Sequence, residues 1–232
     1  MNRDEWYAVF ISKLILGGRM AVLILGLLVT VPLTIWSEMT GHQALLKGAK
    51  TLSTLIVIGM ALMQWFPTGG SYGLLVLIGL VFSLIGDVAL LPPDTENRFT
   101  LGLISFFLAH LAYIVAFWPQ GGWSLWTGGM AMLILLLLML FYRLLQANLG
   151  TMKIPVLAYM AIIGLMLHQA LSMGFQEGWQ MGGRGFYAAL GAMAFFLSDA
   201  LLALNRFWKP LTWERFGLVF YFGGQALIAL SI

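Results

Sequence analysis

Residues 73–91 of the chain read GLLVLIGLVFSLIGDVALL, and Asp87 is the only charged residue among them. A transmembrane helix needs about 20 predominantly apolar residues, so this run has the length and composition of a membrane span. An ionisable side chain inside such a span is costly in lipid and indicates a functional site by default. We therefore predict a membrane helix that carries a functional carboxylate near its carboxyl end.

Similar runs recur along the whole chain, which has 232 residues, of which 61% are apolar and only 9% are charged. Soluble domains carry roughly 25% charged residues, so a soluble fold is excluded, and disorder would need low hydrophobicity with high net charge. The runs are continuously apolar and do not alternate, which is typical of helices and not of barrel strands. We predict an all-α integral membrane protein with eight transmembrane helices, at residues 20–38, 51–66, 72–91, 99–118, 126–145, 153–174, 185–206 and 214–231.

Short turns separate these spans, which predicts a single eight-helix transmembrane domain over residues 20–232. Residues 1–19 are expected to form an N-terminal extension or an interfacial segment. The loops after helices 1, 3, 5 and 7 hold eight Lys and Arg residues, against four at the N-terminus and in the even-numbered loops. The positive-inside rule therefore predicts that the odd-numbered loops are cytoplasmic and that both termini lie on the opposite side.

Helices 3–4 resemble helices 7–8, which suggests an internal repeat. Each copy places a glycine eight residues before an aspartate, Gly79 before Asp87 and Gly191 before Asp199, and each then reaches the triplet Asn-Arg-Phe. Two related four-helix halves would follow, with their symmetry axis along the membrane normal because an even number of helices separates the copies. The two aspartates would then lie at equal depth. The alternative is chance similarity between apolar strings.

The polar residues within the spans converge on the half of the bilayer next to the odd-numbered loops. Asp87 and Asp199 lie one to two turns from the ends of their helices, and Lys50 is expected to start helix 2 on the same side. Both aspartates could instead form structural ion pairs with Lys50 or Arg206. The residues that we expect to bind substrate around the two carboxylates are Lys50, His110, Tyr113, Asn205, Arg206, Tyr221 and Gln225.

Several chemistries are absent from the sequence. It has no cysteine, which excludes disulfides and thiolate metal sites, and no basic cluster that would indicate nucleic acid. No zinc-protease, P-loop or serine-hydrolase motif occurs, and no ligand spacing supports a metal site built from Asp87, His110 and Asp199. What remains is a carboxylate pair in which one member can act as an acid and the other as a base, as in glycoside hydrolysis.

At these residues the chain resembles the YhhN family of bacterial membrane proteins, whose mammalian relatives are the lysoplasmalogenases. The resemblance covers roughly residues 45–230. One departure is a threonine after Lys50, where the family usually has proline. The strings that carry the resemblance are Lys50-Thr-Leu-Ser-Thr-Leu, Phe82-Ser-Leu-Ile-Gly-Asp87, Gly102-Leu-Ile-Ser-Phe-Phe-Leu-Ala-His110-Leu-Ala-Tyr113, Phe196-Leu-Ser-Asp199-Ala-Leu-Leu-Ala-Leu-Asn205-Arg-Phe207 and Tyr221-Phe-Gly-Gly-Gln225.

The resemblance implies an eight-helix protein of the bacterial inner membrane that hydrolyses the vinyl ether bond of lysoplasmalogens. The products would be a fatty aldehyde and a glycerophosphoamine, and the family's two aspartates would map onto Asp87 and Asp199. A lysophospholipid substrate and the lipid bilayer are the expected partners, without nucleic acid, metal or other cofactor, and protein partners are left open. A proton-coupled transporter of a small amphiphile is the alternative, because a duplicated helical half with intramembrane carboxylates also describes that class.

Overall fold

The computed structural model describes residues 3–212 and 214–232, and within these ranges it contains helices and no strands. Short 3-10 turns lie at residues 118–120, 146–148, 150–152 and 214–216. The α-helices are α1 (Arg3–Thr40), α2 (Gln43–Trp65), α3 (Ser71–Ala89), α4 (Glu96–Phe117), α5 (Leu125–Leu145), α6 (Lys153–Gln176), α7 (Arg184–Phe207) and α8 (Gly217–Leu230).

The predicted all-α membrane fold is confirmed, although the last helix is short. Helices α1 to α7 are long and apolar enough to cross a membrane. Helix α8 has 14 residues, so it is about 21 Å long, against about 30 Å for the hydrocarbon core of a bilayer. A 3-10 turn at Glu214–Phe216 occupies the start of the predicted run. Helix α8 is half buried by other helices, so protein and not lipid surrounds much of its surface.

Two helices start well before the predicted spans. Helix α2 begins at Gln43, so Lys50 lies about two turns inside the helix and not at its start. Residues 43–50 are rich in good helix formers, whereas the apolar run that predicted this span begins only at residue 51. Helix α1 runs without interruption from Arg3 to Thr40. Residues 1 and 2 lie outside the described residues, and the division into a segment 1–19 and a domain 20–232 stays a prediction.

The helix packing follows the repeat predicted from the sequence. In the first half α1 packs on α2, α2 on α3 and α3 on α4, and in the second half α5 packs on α6, α6 on α7 and α7 on α8. The halves meet through two equivalent pairs, α4 against α6 and α8 against α2. Helices α3 and α7 therefore occupy matching positions. Because they also run in the same direction, their carboxyl ends bring Asp87 and Asp199 to the same end of the bundle.

Helices α7 and α8 touch through their backbones at two glycines. A Cβ atom on Gly191 would lie 2.8 Å from the carbonyl oxygen of Gly224, and a Cβ on Gly224 would lie 2.8 Å from the carbonyl oxygen of Gly191. Small residues allow this close approach between membrane helices. The contact holds α8, which carries Tyr221 and Gln225, against α7.

Gly224→Ala is expected to destabilise the protein by about 1–3 kcal/mol, because the added methyl group has to push the two backbones apart. The midpoint of thermal unfolding in detergent measures the effect. Gly223→Ala is the matched control, since a Cβ at Gly223 meets nothing within 4 Å. Equal midpoints for the two variants would contradict the close contact.

Candidate active site

A polar cavity of about 710 Å³ lies at the end of the bundle where α1 joins α2, α3 joins α4 and α7 joins α8. This is the end next to the odd-numbered loops, where the sequence predicted the polar residues to gather. Both aspartates line the cavity, and so do four of the residues predicted to bind substrate. The polar side chains in its wall are Glu38, Gln43, Lys50, Asp87, Asp94, Asn148, Ser198, Asp199, Asn205, Arg206 and Tyr221.

Asp87 is the more deeply buried of the two aspartates, with 2% of its side chain exposed. Its Oδ2 accepts hydrogen bonds from the hydroxyls of Thr54 and Tyr221, each at 2.6 Å. Its Oδ1 lies 3.5 Å from the ammonium nitrogen of Lys50. The Tyr221 oxygen in turn accepts a hydrogen bond of 2.7 Å from the side-chain amide of Gln225. Helices α2 and α8 thus supply the donors that a buried carboxylate needs.

Asp199 is less enclosed, with 15% of its side chain exposed. Its Oδ2 accepts a hydrogen bond of 2.5 Å from the hydroxyl of Tyr159 on α6. The Nε2 atom of His110 on α4 lies 3.5 Å from the same oxygen and 3.1 Å from the Tyr159 hydroxyl. Both contacts converge on Oδ2, and the structure shows no hydrogen bond to Oδ1 from the described residues.

The two carboxylate networks are built in the same way from the two halves. Each aspartate accepts a hydroxyl from the helix that precedes it, Thr54 on α2 for Asp87 and Tyr159 on α6 for Asp199. Each is also approached by the last helix of the other half, through Tyr221 on α8 and His110 on α4. Neither half could therefore form its own site without the other.

Arg206 and Asn205 are at the cavity, but each already has a partner. The Arg206 guanidinium forms a 2.6 Å ion pair with Asp94 and lies 4.0 Å from the centre of the Phe99 ring. The side-chain oxygen of Asn205 accepts a 2.8 Å hydrogen bond from the backbone of Leu211. Asn205 thus fixes the loop after α7 to the end of that helix. The ion pair of Arg206 with Asp94 connects α7 to the loop after α3 at the edge of the cavity.

His110, Tyr113 and Gln225 are fully buried and lie behind the cavity wall. The Tyr113 ring covers Gly79, where any Cβ atom would clash with it. Most buried polar groups have hydrogen-bond partners. Four buried atoms in this region have none among the described residues, namely Ser83 Oγ, His110 Nδ1, Tyr113 OH and Gln225 Oε1. The protein interior next to the carboxylates therefore contains polar atoms whose hydrogen-bonding capacity is unused.

Sequence reasoning missed Thr54 and Tyr159, the hydroxyl donors from the preceding helices. Thr54 lies in the string that carries the family resemblance, one helical turn after Lys50. Tyr159 follows Lys153, which stands at the start of α6. Neither hydroxyl carried a signal in the sequence, because Thr54 lies four residues after Lys50 and Tyr159 six residues after Lys153, so the two positions do not match.

A second, much smaller cavity of about 70 Å³ adjoins the polar one and reaches Asp199; apolar residues of helices α4 to α7 and Leu90 line it. Among the described residues, only Tyr159 and Asp199 contribute polar side chains to its wall. Its apolar wall consists of Leu90, Phe99, Leu103, Phe106, Leu138, Phe141, Val156, Met160, Ile163, Phe196, Ala200, Leu202, Ala203 and Phe207. Over the described part of the chain, no group of three or more His, Cys, Asp or Glu side chains has the arrangement of a metal site.

The fold and the site define an α-helical membrane protein with two carboxylates in a polar cavity that adjoins an apolar one. The chain belongs to the YhhN family, whose model matches residues 42–232. The resemblance seen in the sequence is thus confirmed. The match begins at His42 and therefore leaves out helix α1.

The chain is similar to several curated lysoplasmalogenases. It is 36% identical to lysoplasmalogenase TMEM86A of Bos taurus over 165 residues, which cover 67% of this chain and 64% of that protein. It is 30% identical to lysoplasmalogenase TMEM86B of Sus scrofa over 191 residues, covering 82% and 74%. It is 29% identical to the lysoplasmalogenase of Mycobacterium tuberculosis over 176 residues, covering 74% and 63%. No solved structure is significantly similar to the chain.

Tyr221→Phe is expected to lower the free energy of unfolding by about 1–3 kcal/mol. It removes one buried donor to Asp87 and leaves the Gln225 amide without its hydrogen-bond acceptor. Thermal unfolding in detergent measures the loss. Tyr142→Phe is the control, since the half-buried Tyr142 hydroxyl makes no hydrogen bond to any of the described residues. A Tyr221→Phe protein as stable as the Tyr142→Phe protein would refute the contribution of this network.

Proposed function

We propose that the protein is a membrane hydrolase that cleaves the vinyl ether bond of lysoplasmalogens to a fatty aldehyde and a glycerophosphoamine. The names of its relatives support this reaction class. The observation that carries the proposal is the pair of carboxylates, Asp87 and Asp199, in the wall of one polar cavity that adjoins an apolar cavity. A single-chain lipid with a polar head has these two parts.

The chemistry of vinyl ether cleavage fits two carboxylates. Protonation of the double bond creates an oxocarbenium ion, to which water adds, and the resulting hemiacetal collapses to aldehyde and alcohol. A positioned acid speeds the first step. A neighbouring anion stabilises the cation, and a base takes the proton of the attacking water. Asp87 and Asp199 would supply these functions without a metal or another cofactor.

The polar cavity suits a phosphate that carries an amine. Arg206 is the more exposed of the two cations in its wall, at 29% of its side chain against 13% for Lys50. Arg206 would meet the substrate phosphate, whereas Lys50 stays with Asp87. Among the other residues predicted to bind substrate, Tyr221 and Asn205 line the cavity. His110, Tyr113 and Gln225 would act from behind the wall, by supporting the residues that line it.

The orientation in the membrane belongs to the same proposal. The excess of Lys and Arg in the odd-numbered loops favours a cytoplasmic location for the cavity end, with both termini on the other side. In a bacterial inner membrane, the substrate would then enter from the cytoplasmic leaflet.

The purified protein in detergent is expected to release aldehyde from a lysoplasmenyl lipid and none from an acyl lysolipid. Asp87→Asn and Asp199→Asn should each lower kcat by about 10²- to 10⁴-fold, the usual contribution of general acid–base catalysis. Glu96→Gln is the matched control, because it converts an exposed carboxylate to an amide outside the cavity. An aldehyde assay with all four proteins makes the measurement.

Failure of the folded wild-type protein to release aldehyde would overturn the hydrolase proposal. Transport would then be the remaining candidate, since the two-fold arrangement of the halves also occurs in transporters. Proton-coupled uptake of a lysolipid into liposomes that contain the protein would test it. The hydrolase is the better candidate because the carboxylates and their cations gather at one end of the bundle.

A further inference from the structure

We propose that the apolar cavity between helices α4, α5, α6 and α7 binds the first carbons of the hydrocarbon chain of the substrate, and that Asp199 is therefore the acid that protonates the vinyl bond. The assignment of the acid rests on the proposed function. The chain site does not, because it requires only that a single-chain amphiphile binds. Neither the family match nor the names of the relatives assigns this cavity or separates the two aspartates.

Asp199 stands at the junction of the two cavities, whereas Asp87 lines only the polar one. The two cavities share one stretch of wall, so they adjoin at this point. The shared residues are Leu90, Phe99, Phe106, Asp199, Leu202 and Phe207. A chain in the apolar cavity with its head in the polar cavity has to pass Asp199. Burial of the chain supplies the driving force for this placement.

The position of the acid follows from the regiochemistry of the reaction. The first chain carbon is bonded to the ether oxygen and becomes the cationic centre. The proton goes to the second chain carbon, which lies one bond further from the head group. The acid must therefore reach the chain side of the ether oxygen. Asp199 borders the space for the chain, while Asp87 borders only the space for the head.

The hydrogen bonds of the two aspartates agree with this division. Both oxygens of Asp87 face donors, from Thr54 and Tyr221 on one oxygen and Lys50 on the other. At Asp199, both contacts fall on Oδ2. Oδ1 is the oxygen left to carry a proton to the substrate. Tyr159 and His110 are positioning residues. They contact Oδ2 of Asp199, and neither of them lines the polar cavity.

The reaction can then be written with every proton accounted for. Asp199 gives its proton to the second chain carbon, and the electron pair of the double bond forms the new C–H bond. Water adds to the first chain carbon, and its released proton goes to Asp87. In the collapse of the hemiacetal, Asp87 protonates the departing glycerol oxygen as the C–O bond breaks. Asp199 takes the hydroxyl proton of the hemiacetal, which restores both carboxyl groups.

The chain site is tested with Ala200→Phe, which places a ring in the apolar cavity beside Asp199. The probe is hexadecyl-ether glycerophosphocholine, a saturated analogue with no vinyl bond to cleave. It should raise the melting temperature of the wild-type protein, and this shift should vanish in Ala200→Phe. Leu197→Phe is the control on the same helix, because Leu197 is 49% exposed and lies outside both cavities.

Kinetics give a readout that misfolding would not produce. Exclusion of a few methylenes from an apolar site weakens binding about tenfold or more, so KM of Ala200→Phe should rise by that factor for a hexadecenyl substrate. Leu197→Phe should leave this KM unchanged. An equal rise of KM in Leu197→Phe, or a wild-type response of Ala200→Phe to the analogue, would overturn the chain site.

The acid is identified by deuterium transfer in deuterium oxide. With Asp87→Asn, Asp199 can still deuterate the second chain carbon reversibly, so the recovered substrate should carry deuterium there. With Asp199→Asn, the recovered substrate should carry no deuterium at this carbon. Deuterium in the substrate recovered from Asp199→Asn, or in that from neither variant, would overturn the assignment. A wild-type protein that binds the analogue but releases no aldehyde would refute the proposed function and leave the chain site standing.

Discussion

The burial of Asp87 inside the membrane is the constraint on which the surrounding structure depends. A carboxylate without partners is prohibitively costly in such surroundings, so other helices have to bring donors to it. Thr54 and Lys50 come from α2 and Tyr221 from α8. These contacts join α2 and α3 to α8, which lies far from them in the chain. They also hold α8, which is too short to be positioned by the bilayer alone.

The matching packing of the two halves explains why the site is composite. Because α4 packs on α6 and α8 on α2, each aspartate has partners both from its own half and from the other half. The surroundings of the two aspartates differ at the helices that come from the other half, α8 for Asp87 and α4 for Asp199. Helix α8 offers the Tyr221 hydroxyl to Asp87, while the matching position on α4 is Phe106, and His110 approaches Asp199 instead. Two halves with matching helix packing thus carry two carboxylates in different surroundings, as a division between acid and base requires.

Much of this arrangement was predictable from the sequence, and what was missed has a common cause. Charged residues in apolar runs are conspicuous, so Asp87, Asp199 and Lys50 could be singled out and assigned to one end of the bundle. Thr54 and Tyr159 could not, because a hydroxyl in an apolar helix is an ordinary residue until packing aims it at a carboxylate. The ion pair of Arg206 with Asp94 was missed because Asp94 lies in a loop, where a carboxylate draws no attention.

The sequence by itself determined the membrane fold, the approximate helices, the parallel placement of the two halves and the end at which the carboxylates gather. These features follow from hydropathy, chain direction and the spacing of the repeat, all of which are local or periodic. Only the tertiary structure decided which donors serve each aspartate and that Asp199, unlike Asp87, borders an apolar cavity. Those facts depend on which faces of α2, α4, α6 and α8 turn inward, and side-chain packing between distant segments sets those faces.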